Sequence, residues 1–401
     1  MDEQPQEQQP QPTPKRGGAR ERQRRRKERR QETARSSAGR KEWTHLSPSG
    51  GFKLPEINSP YARPIAMTAG AVLFMIILIF VVSLFSSGPK EADPNGIWLG
   101  VEWTYQAHED DEVRDLVKLL HEHKIGTVYA HISELNFDST WTGIPEERNR
   151  FEEVEENVLA FAQQLNDIDS DLQIYGVVNF RTDLDADGYR LDDLPSQQLV
   201  SNFSAIVVND LAFDGVLLNI APVKDDDENF MGLVRQVRAA IGENALLAIV
   251  VPPDLTPTDV DLPMSSQILP GTAWSEDYKR HVAFLDIDQV VLLGYGSYLT
   301  TEDGFDANDF VDWVAYQVRT YATVMSSLPS DVELIVSVST GDNPAYDHRI
   351  EHITSGMFGV LRGISQLDET SAQILSGVAI YDISSTDDVE WTQFEDEWVD
   401  Q

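Results

Sequence analysis

Short apolar segments alternate with amphipathic segments over roughly the last 300 residues of the chain. The apolar segments are rich in Val, Ile and Leu and do not alternate strictly with polar residues, which is typical of parallel strands covered on both faces. The strands predicted on this basis are Gly96–Trp103, Thr127–Ile132, Gln173–Asn179, Gly215–Ile220, Ala245–Val251, Gln289–Leu293, Glu333–Val338 and Gly377–Ile383.

Between these strands, apolar residues recur at the spacing of one helix face. The clearest stripes are Val113, Leu116, Val117 and Leu120; Val154, Val158, Phe161 and Leu165; Phe230, Leu233, Val234 and Val237; and Phe310, Trp313, Val314 and Val318. Eight strand-then-helix units predict an α/β domain closed into a (β/α)₈ TIM barrel. An open doubly wound sheet is the alternative, although no Gly-rich phosphate loop follows a strand.

A separate apolar run, Ile65–Phe85, precedes the barrel and contains 21 residues without a charge. A helix of that length spans a hydrocarbon core of roughly 30 Å. A cleaved signal peptide is the alternative, but its apolar region is usually shorter, and no clear small-residue cleavage site follows Phe85. The run therefore predicts a single transmembrane helix that is retained as an anchor.

The charge changes sign across this run. Residues 1–63 hold 15 Lys+Arg and 8 Asp+Glu, whereas the rest of the chain holds 16 Lys+Arg and 59 Asp+Glu. Basic residues favour the cytoplasmic side of a membrane, which predicts a cytoplasmic N-terminus and an extracellular C-terminal domain on a single-pass cell-membrane protein. The acidic exterior argues against nucleic acid as an outside partner.

These features together divide the chain into four parts. Residues 1–63 form a basic tail, rich in Gln, Pro, Arg and Ser, that is predicted to be disordered. Its basic run is suited to contact anionic lipid. Residues 64–86 are the predicted transmembrane helix, 87–95 a linker and 96–401 the barrel. The chain has no cysteine, which excludes disulfides and thiol catalysis.

The fourth predicted strand carries the most informative motif. It reads Phe213-Asp214-Gly215-Val216-Leu217-Leu218-Asn219-Ile220-Ala221-Pro222. This segment resembles the catalytic strand of the chitinase-like enzymes of glycoside hydrolase family 18, whose pattern is Asp-Gly-x-Asp-x-Asp-x-Glu. Four further segments are similar to strands of that family in the same order, namely Gly96–Gly100, Ala245–Pro252, Val290–Gly296 and Gly377–Asp382.

The resemblance implies a mechanism for which this chain lacks the acid. In the family, the 2-acetamido oxygen of the sugar attacks the anomeric carbon. The last Glu of the motif protonates the leaving oxygen, an Asp orients the acetamide, and a Tyr on strand six donates to it. These positions, with the deep Asp of the motif, correspond here to Ala221, Asn219, Tyr295 and Leu217. The resemblance therefore implies a degenerate enzyme that binds an N-acetylated glycan, peptidoglycan or chitin-like, without hydrolysing it, with Tyr381 under the sugar.

Residues at the carboxyl ends of barrel strands face the usual active-site rim, which supplies the candidate site. The candidate substrate-binding residues are Glu102, Trp103, His131, Asn179, Arg181, Asn219, Tyr295, Tyr381 and Asp382. Flat aromatic rings that could support a sugar are Trp103, Tyr105, Trp141, Trp274, Tyr298 and Tyr381, of which two are expected to do so.

Two other functions stay open at this point. An active glycosidase could use relocated carboxylates, for which the candidates are Glu102, Asp382 and Glu134. Against this, Glu102 could simply pair with Arg181, and Asp382 could cap the following helix. A surface scaffold with a plugged barrel mouth is the third possibility. No cofactor or resident metal is expected. Asp183-x-Asp185-x-Asp187-Gly188 resembles the start of a calcium loop, but its twelfth position is Leu194, so calcium binding there stays open.

Overall fold

The computed structural model describes residues 93–143, 150–184, 189–257, 261–265, 271, 273–327, 332–341 and 345–400. The predicted tail, the predicted membrane helix and most of the linker lie outside these residues, as do the last four of the six residues of the predicted calcium-loop segment, 185–188. Within the described ranges, no helix is both long enough and apolar enough to cross a bilayer.

Eight parallel strands close into a barrel in which each strand pairs with the next along the chain. The closure is made by the first and last strands, where Gly96 is in register with Ala379. The strands are β1 (Asn95–Leu99), β2 (Ile125–Glu134), β3 (Gln173–Arg181), β4 (Gly215–Ala221), β5 (Leu246–Val251), β6 (Gln289–Leu293), β7 (Glu333–Ser339) and β8 (Leu375–Tyr381). The predicted closed barrel is confirmed, and the open sheet is wrong.

Helices follow the strands and cover the outside of the barrel. They are α1 (Val101–Thr104), α2 (Asp110–Glu122), α3 (Glu155–Ile168), α4 (Leu194–Asn209), α5 (Glu228–Ile241), α6 (Glu276–Ala283), α7 (Ala307–Ser326), α8 (Ile353–Ser365), α9 (Glu369–Ala372) and α10 (Asp388–Phe394). All four predicted apolar stripes are buried in the core cluster between helices and strands. That outer core stabilises the barrel wall.

The first strand is shorter than its sequence predicts. It ends at Leu99, and residues 101–104 form helix α1 instead of continuing the strand to Trp103. The Glu102 carboxylate turns back and accepts a hydrogen bond from the Gly100 N–H, 3.2 Å away. A Cβ atom at residue 100 would meet the end of that flexible side chain, so the glycine leaves room for this hydrogen bond.

A second apolar cluster fills the inside of the barrel. Its buried members are Trp98, Tyr129, Tyr175, Val177, Leu217, Leu246, Ala248, Val250, Val291, Ile335 and Ala379. The Trp98 indole crosses the interior and donates to Ser337 Oγ at 3.0 Å. Tyr129 and Tyr175 lie side by side, with ring centroids 5.6 Å apart. The interior is therefore a packed core, as in other barrels of this class, and a ligand site must lie above it.

Candidate functional site

The carboxyl ends of β2, β3 and β4 bring three candidate residues into one hydrogen-bonded chain. Asn179 and Asn219 are in register on neighbouring strands, and Asn219 Nδ2 donates to Asn179 Oδ1 at 2.7 Å. The Asn179 amide nitrogen lies 3.1 Å from His131 Nδ1. This His131–Asn179–Asn219 chain spans three adjacent strands. The side chains meet because they lie at similar heights on their strands and all face the inside of the barrel.

The three side chains of the His131–Asn179–Asn219 chain are uncharged. Burial lowers the pKa of His131 to about 4, so the imidazole is uncharged at neutral pH. Because Asn179 donates to Nδ1, the proton of neutral His131 is on Nε2. Among the described residues, neither His131 Nε2 nor Asn219 Oδ1 makes a hydrogen bond. The His131–Asn179–Asn219 chain thus has a donor at one end and an acceptor at the other that no described residue uses.

Strand β4 carries no carboxylate at the three positions expected from the resemblance. Leu217 is completely buried in the interior cluster. Asn219 is two residues nearer the rim and Ala221 is the last residue of the strand, in register with Arg181. Alternation places residues 217, 219 and 221 on the same face. That face therefore presents an isobutyl group, an amide and a methyl group.

Two tyrosines stack at the ends of β6 and β8. Tyr295 lies two residues beyond β6 and Tyr381 is the last residue of β8; their ring centroids are 4.9 Å apart at an interplanar angle of 22°. Tyr381 also meets the edge of Trp98 at 5.6 Å, which seats it on the interior core. Burial raises the pKa of both phenols, so both keep their proton at neutral pH. Both side chains are partly exposed.

A buried carboxylate that no sequence pattern indicates fixes the segment behind Tyr295. Glu351, from the loop after β7, accepts hydrogen bonds from the backbone N–H groups of Gly296 (2.7 Å) and Ser297 (2.9 Å) and from the Ser297 hydroxyl. Burial raises the pKa of Glu351, while the three hydrogen bonds favour its charged form. In the sequence Glu351 looks like an ordinary acidic residue before helix α8, and no pattern there indicates its contact with the loop after β6.

The three candidate carboxylates are held in different ways. Glu102 is bound to the Gly100 N–H, and no ion pair within the described part of the chain joins it to Arg181. Asp382 accepts from the Ser384 hydroxyl and, at 3.0 Å, from the Ser385 N–H. It therefore caps the turn after β8; the helix that follows, α10, is capped by Asp387. The described residues therefore contain neither a Glu102–Arg181 pair nor a cap of helix α10 by Asp382.

Glu134 differs from the other two candidate carboxylates because of its position. It is the last residue of β2, is partly buried and is in register with Asn179. Its backbone carbonyl accepts from the Thr142 N–H at 3.0 Å, but no hydrogen bond of its side chain occurs among the described residues. Glu134 is thus the candidate acid that register places beside the His131–Asn179–Asn219 chain.

Two predicted binding residues make no hydrogen bond to that chain within the described ranges. Trp103 stacks on His108, with centroids 4.9 Å apart, and packs against Phe161 of helix α3. Its ring belongs to the packing between α1 and α3, because β1 ends before it. Arg181 is exposed at the rim, and its carbonyl accepts a long hydrogen bond of 3.5 Å from Arg190.

Most of the other aromatic candidates also serve packing. The Tyr105 hydroxyl donates to the Ile132 carbonyl at 2.7 Å, Trp141 stacks on Phe203 at 3.9 Å, and Trp274 Nε1 donates to the Val223 carbonyl at 3.0 Å. Tyr298 packs against the outer core. Of the six rings, Tyr381 alone stacks on Tyr295. Within the described ranges, no group of three or more acidic, His or Cys side chains is arranged to hold a metal ion.

Comparison with known proteins gives similarity in structure only. No family model matches the chain, and no curated protein does. Solved structures similar to it include family 18 chitinases. A GH18 chitinase from Cycas revoluta in complex with (GlcNAc)₃ is 12% identical, with a TM-score of 0.48, over 76% of this chain and 99% of that one. A class V chitinase from Pseudomonas fluorescens Pf-5 is 10% identical, with a TM-score of 0.46, over 75% and 98%. An endo-1,4-beta-mannanase from Rhizomucor miehei is 10% identical, with a TM-score of 0.47, over 75% and 93%.

Proposed function

We propose that the barrel mouth binds an N-acetylated glycan, peptidoglycan or a chitin-like oligosaccharide, without hydrolysing it. The observation that carries this proposal is the His131–Asn179–Asn219 chain, which ends in an N–H donor and a carbonyl that no other described residue uses. An acetamido group offers the complementary pair, one carbonyl acceptor and one N–H donor. The stacked pair Tyr295 and Tyr381 adds a flat apolar surface and phenol groups of the kind that line ligand sites.

The same residues argue against turnover by the mechanism of the chitinase-like enzymes. Ala221 has no proton to transfer, and Asn219 has no charge with which to stabilise a positively charged intermediate. General acid catalysis contributes typically about 10²- to 10⁴-fold, so its loss removes ordinary turnover. The polar groups that remain are suited to recognition of an uncharged group.

Calorimetric titration of the 401-residue chain in detergent with an oligomer of N-acetylglucosamine tests this proposal. We expect Asn219→Leu to weaken binding by about tenfold, because a hydrogen-bonded partner group is lost. Tyr295→Phe removes the phenol donor and is expected to weaken binding to a similar degree. Asn229→Leu, at an exposed position on helix α5, is the matched control and should bind like the parent chain.

The fully deacetylated oligomer provides the control on the ligand side. It keeps the sugar rings but lacks the acetamide, so it should bind more weakly than the acetylated one. Equal affinity for both oligomers, or equal affinity of the parent chain and the Asn219→Leu variant, contradicts acetamide recognition. Absence of any glycan binding favours the scaffold, in which the mouth serves no sugar.

An active glycosidase is the second candidate, and the register of Glu134 with Asn179 favours it. A carboxylic acid at that position would lie beside the amides that hold the sugar. If this candidate is correct, the purified chain releases new reducing ends from an N-acetylated polymer, and Glu134→Gln abolishes the release. Glu102→Gln and Asp382→Asn test the other two acids in the same assay. Absence of product with the parent chain supports the binding function.

We also propose that the protein is anchored in the cell membrane by residues 64–86, with the basic tail in the cytoplasm and the barrel outside. The support is the uncharged run of 21 residues and the opposite charges on its two sides. Because the chain has no cysteine, single-cysteine variants report topology directly. An impermeant maleimide should label Asn229→Cys on intact cells and should label Ser36→Cys only after lysis. The reverse pattern contradicts the orientation.

A further inference from the structure

The segment that follows β6 has no regular structure and is held from outside. Residues 294–300 form neither helix nor strand. Glu351 lies behind this segment with no exposed surface, and both of its carboxylate oxygens accept hydrogen bonds from it. None of the ion pairs within the described ranges includes Glu351, whose carboxylate oxygens accept there from neutral donors only.

The geometry of the segment requires such an acceptor. Gly296 has a φ of +72°, in the left-handed region, and its N–H and that of Ser297 both point to Glu351. Two adjacent N–H groups that face the protein interior are costly without acceptors, and a carboxylate can satisfy both. Tyr295 is the residue directly before this bound pair. The conformation at Gly296 therefore sets the direction in which the Tyr295 ring leaves the backbone.

A second contact fastens the same segment further along. Asp347, in the loop that also carries Glu351, accepts from the Thr301 N–H at 2.9 Å and from the Thr301 hydroxyl at 2.8 Å. Arg349 pairs with the same carboxylate at 2.7 Å. This contact is six residues beyond Tyr295 and has the same chemistry as that of Glu351. It therefore serves as an internal comparison for a contact that holds the loop without adjoining the tyrosine.

We propose that Glu351 is a positioning residue for Tyr295: its carboxylate, supplied by the loop after β7, fixes the turn at Gly296 so that the Tyr295 ring stacks on Tyr381 and presents its hydroxyl to the acetamide of the ligand. This role rests on the proposed glycan-binding function: Glu351 positions Tyr295, which is one of the residues proposed to contact the glycan. Glu351 itself is completely buried and does not touch the ligand.

A double-mutant cycle on glycan affinity tests this role. Glu351→Gln keeps the size of the side chain but replaces one acceptor oxygen with an N–H donor, which opposes the donors it faces. We expect about tenfold weaker binding of the N-acetylglucosamine oligomer, equal to the effect of Tyr295→Phe. Because the two residues act through one hydroxyl, the double variant should bind no more weakly than Tyr295→Phe alone. Additive losses would show that Glu351 acts independently of that hydroxyl.

A measurement without ligand separates this inference from the proposed function. With 3-fluorotyrosine incorporated at residue 295, Glu351→Gln should shift or broaden the fluorine resonance, whereas Asp347→Asn should lower stability and leave the resonance in place. If the parent chain binds no glycan, the proposed function fails, but the resonance still tests the positioning. An unchanged resonance in a folded Glu351→Gln variant overturns the inference, whatever the glycan result.

Ser297→Ala covers the case in which Glu351→Gln does not fold. It removes one of the three donors to Glu351 and leaves the carboxylate in place. We expect a smaller displacement of the same resonance in the same direction. No displacement in a folded Ser297→Ala variant, together with an unfolded Glu351→Gln variant, would show that Glu351 only stabilises the fold and would overturn the proposal.

Discussion

The two ends of the barrel use buried polar side chains in different ways. At the amino ends of the strands, polar side chains bind the backbone of the neighbouring strand: Asp214 accepts from the Ile174 N–H at 3.0 Å, Asp288 from the Leu247 N–H at 2.9 Å and Asn95 from the Val378 N–H at 3.2 Å. At the carboxyl ends, His131, Asn179 and Asn219 bind one another. The first arrangement ties strands together, and the second leaves atoms for a ligand.

These two sets of residues also differ in charge. The base contains a buried ion pair, in which Arg238 Nη2 lies 2.7 Å from Asp288 Oδ2 and both side chains are less than a tenth exposed. The mouth residues His131, Asn179 and Asn219 are neutral, and burial keeps the Tyr295 phenol protonated. Because neutral donors and acceptors gain most from a neutral polar partner, these three residues favour an N-acetylated sugar over an anionic substrate.

Removal of the ion pair at the base is expected to have the largest effect. Asp288→Ala removes the nearer carboxylate of the buried Arg238, leaves it only Asp286 Oδ2 at 3.8 Å from Nε, and removes the acceptor for the Leu247 N–H. Loss of one partner of a buried pair costs about 3–5 kcal/mol, so the free energy of unfolding, measured with denaturant, should fall by that amount. Glycan affinity should be unchanged under conditions where the variant is folded.

The matched change at the mouth is Asn179→Ala. It breaks both hydrogen bonds of the chain but leaves no buried charge, so the cost in stability should stay below about 2 kcal/mol. Its main effect should appear in glycan affinity instead. If Asp288→Ala and Asn179→Ala lost the same stability and the same affinity, the residues at the base would not be mainly structural and those at the mouth would not be mainly for binding.

The next effect concerns acid stability, and His131 is the residue that produces it. Its pKa is about 4 in the folded protein and near 6.5 when unfolded, so between these values the unfolded chain binds more protons. Stability is therefore full above pH 6.5 and falls as the pH drops toward 4, by a total on the order of 3 kcal/mol. In His131→Gln, which cannot be protonated, that part of the slope should disappear.

His123, near the base, provides the comparison for this pH dependence. Burial lowers its pKa too, but Glu395, whose Oε1 is 3.2 Å from its Nδ1, opposes that effect. His123→Gln should therefore flatten the acid limb less than His131→Gln. If the two substitutions flattened the pH dependence of stability equally, the surroundings of His131 at the mouth would have no larger effect on its pKa than those of His123 near the base.

The sequence predicts the wall of this barrel better than its mouth. All eight strands were placed correctly to within a few residues because each is a run of buried apolar side chains between breaks, as Gln289–Leu293 illustrates. Candidate residues at strand ends follow from the same reasoning, which found His131, Asn179 and Asn219. Their mutual hydrogen bonds join residues 48 and 40 positions apart and depend on the register between strands, which no single strand encodes.

The remaining errors have local causes. The sequence predicts Trp103 at the mouth, but β1 ends at Leu99 and helix α1 carries the ring into packing against His108. Glu351 was not expected because its partners lie in another loop, 54 residues or more away along the chain. Both depend on how a loop folds back, which apolar periodicity does not describe.

The smallest expected effect lies between the two ends, at Ser337 in the barrel interior. Ser337→Ala removes the acceptor of the Trp98 indole N–H and leaves a buried donor unpaired, which costs about 1 kcal/mol or somewhat more. Ser204→Ala is the control: its hydroxyl donates to the Val200 carbonyl within helix α4, so no buried donor is stranded. The difference between the unfolding free energies of the two variants gives the cost of leaving the Trp98 indole N–H unpaired.

The glycan affinity of Ser337→Ala should not change, since Ser337 lies below the mouth. If the affinity fell as in Asn219→Leu, the contact of Trp98 with Tyr381 would couple the interior to the site, and the separation of the two ends would not hold.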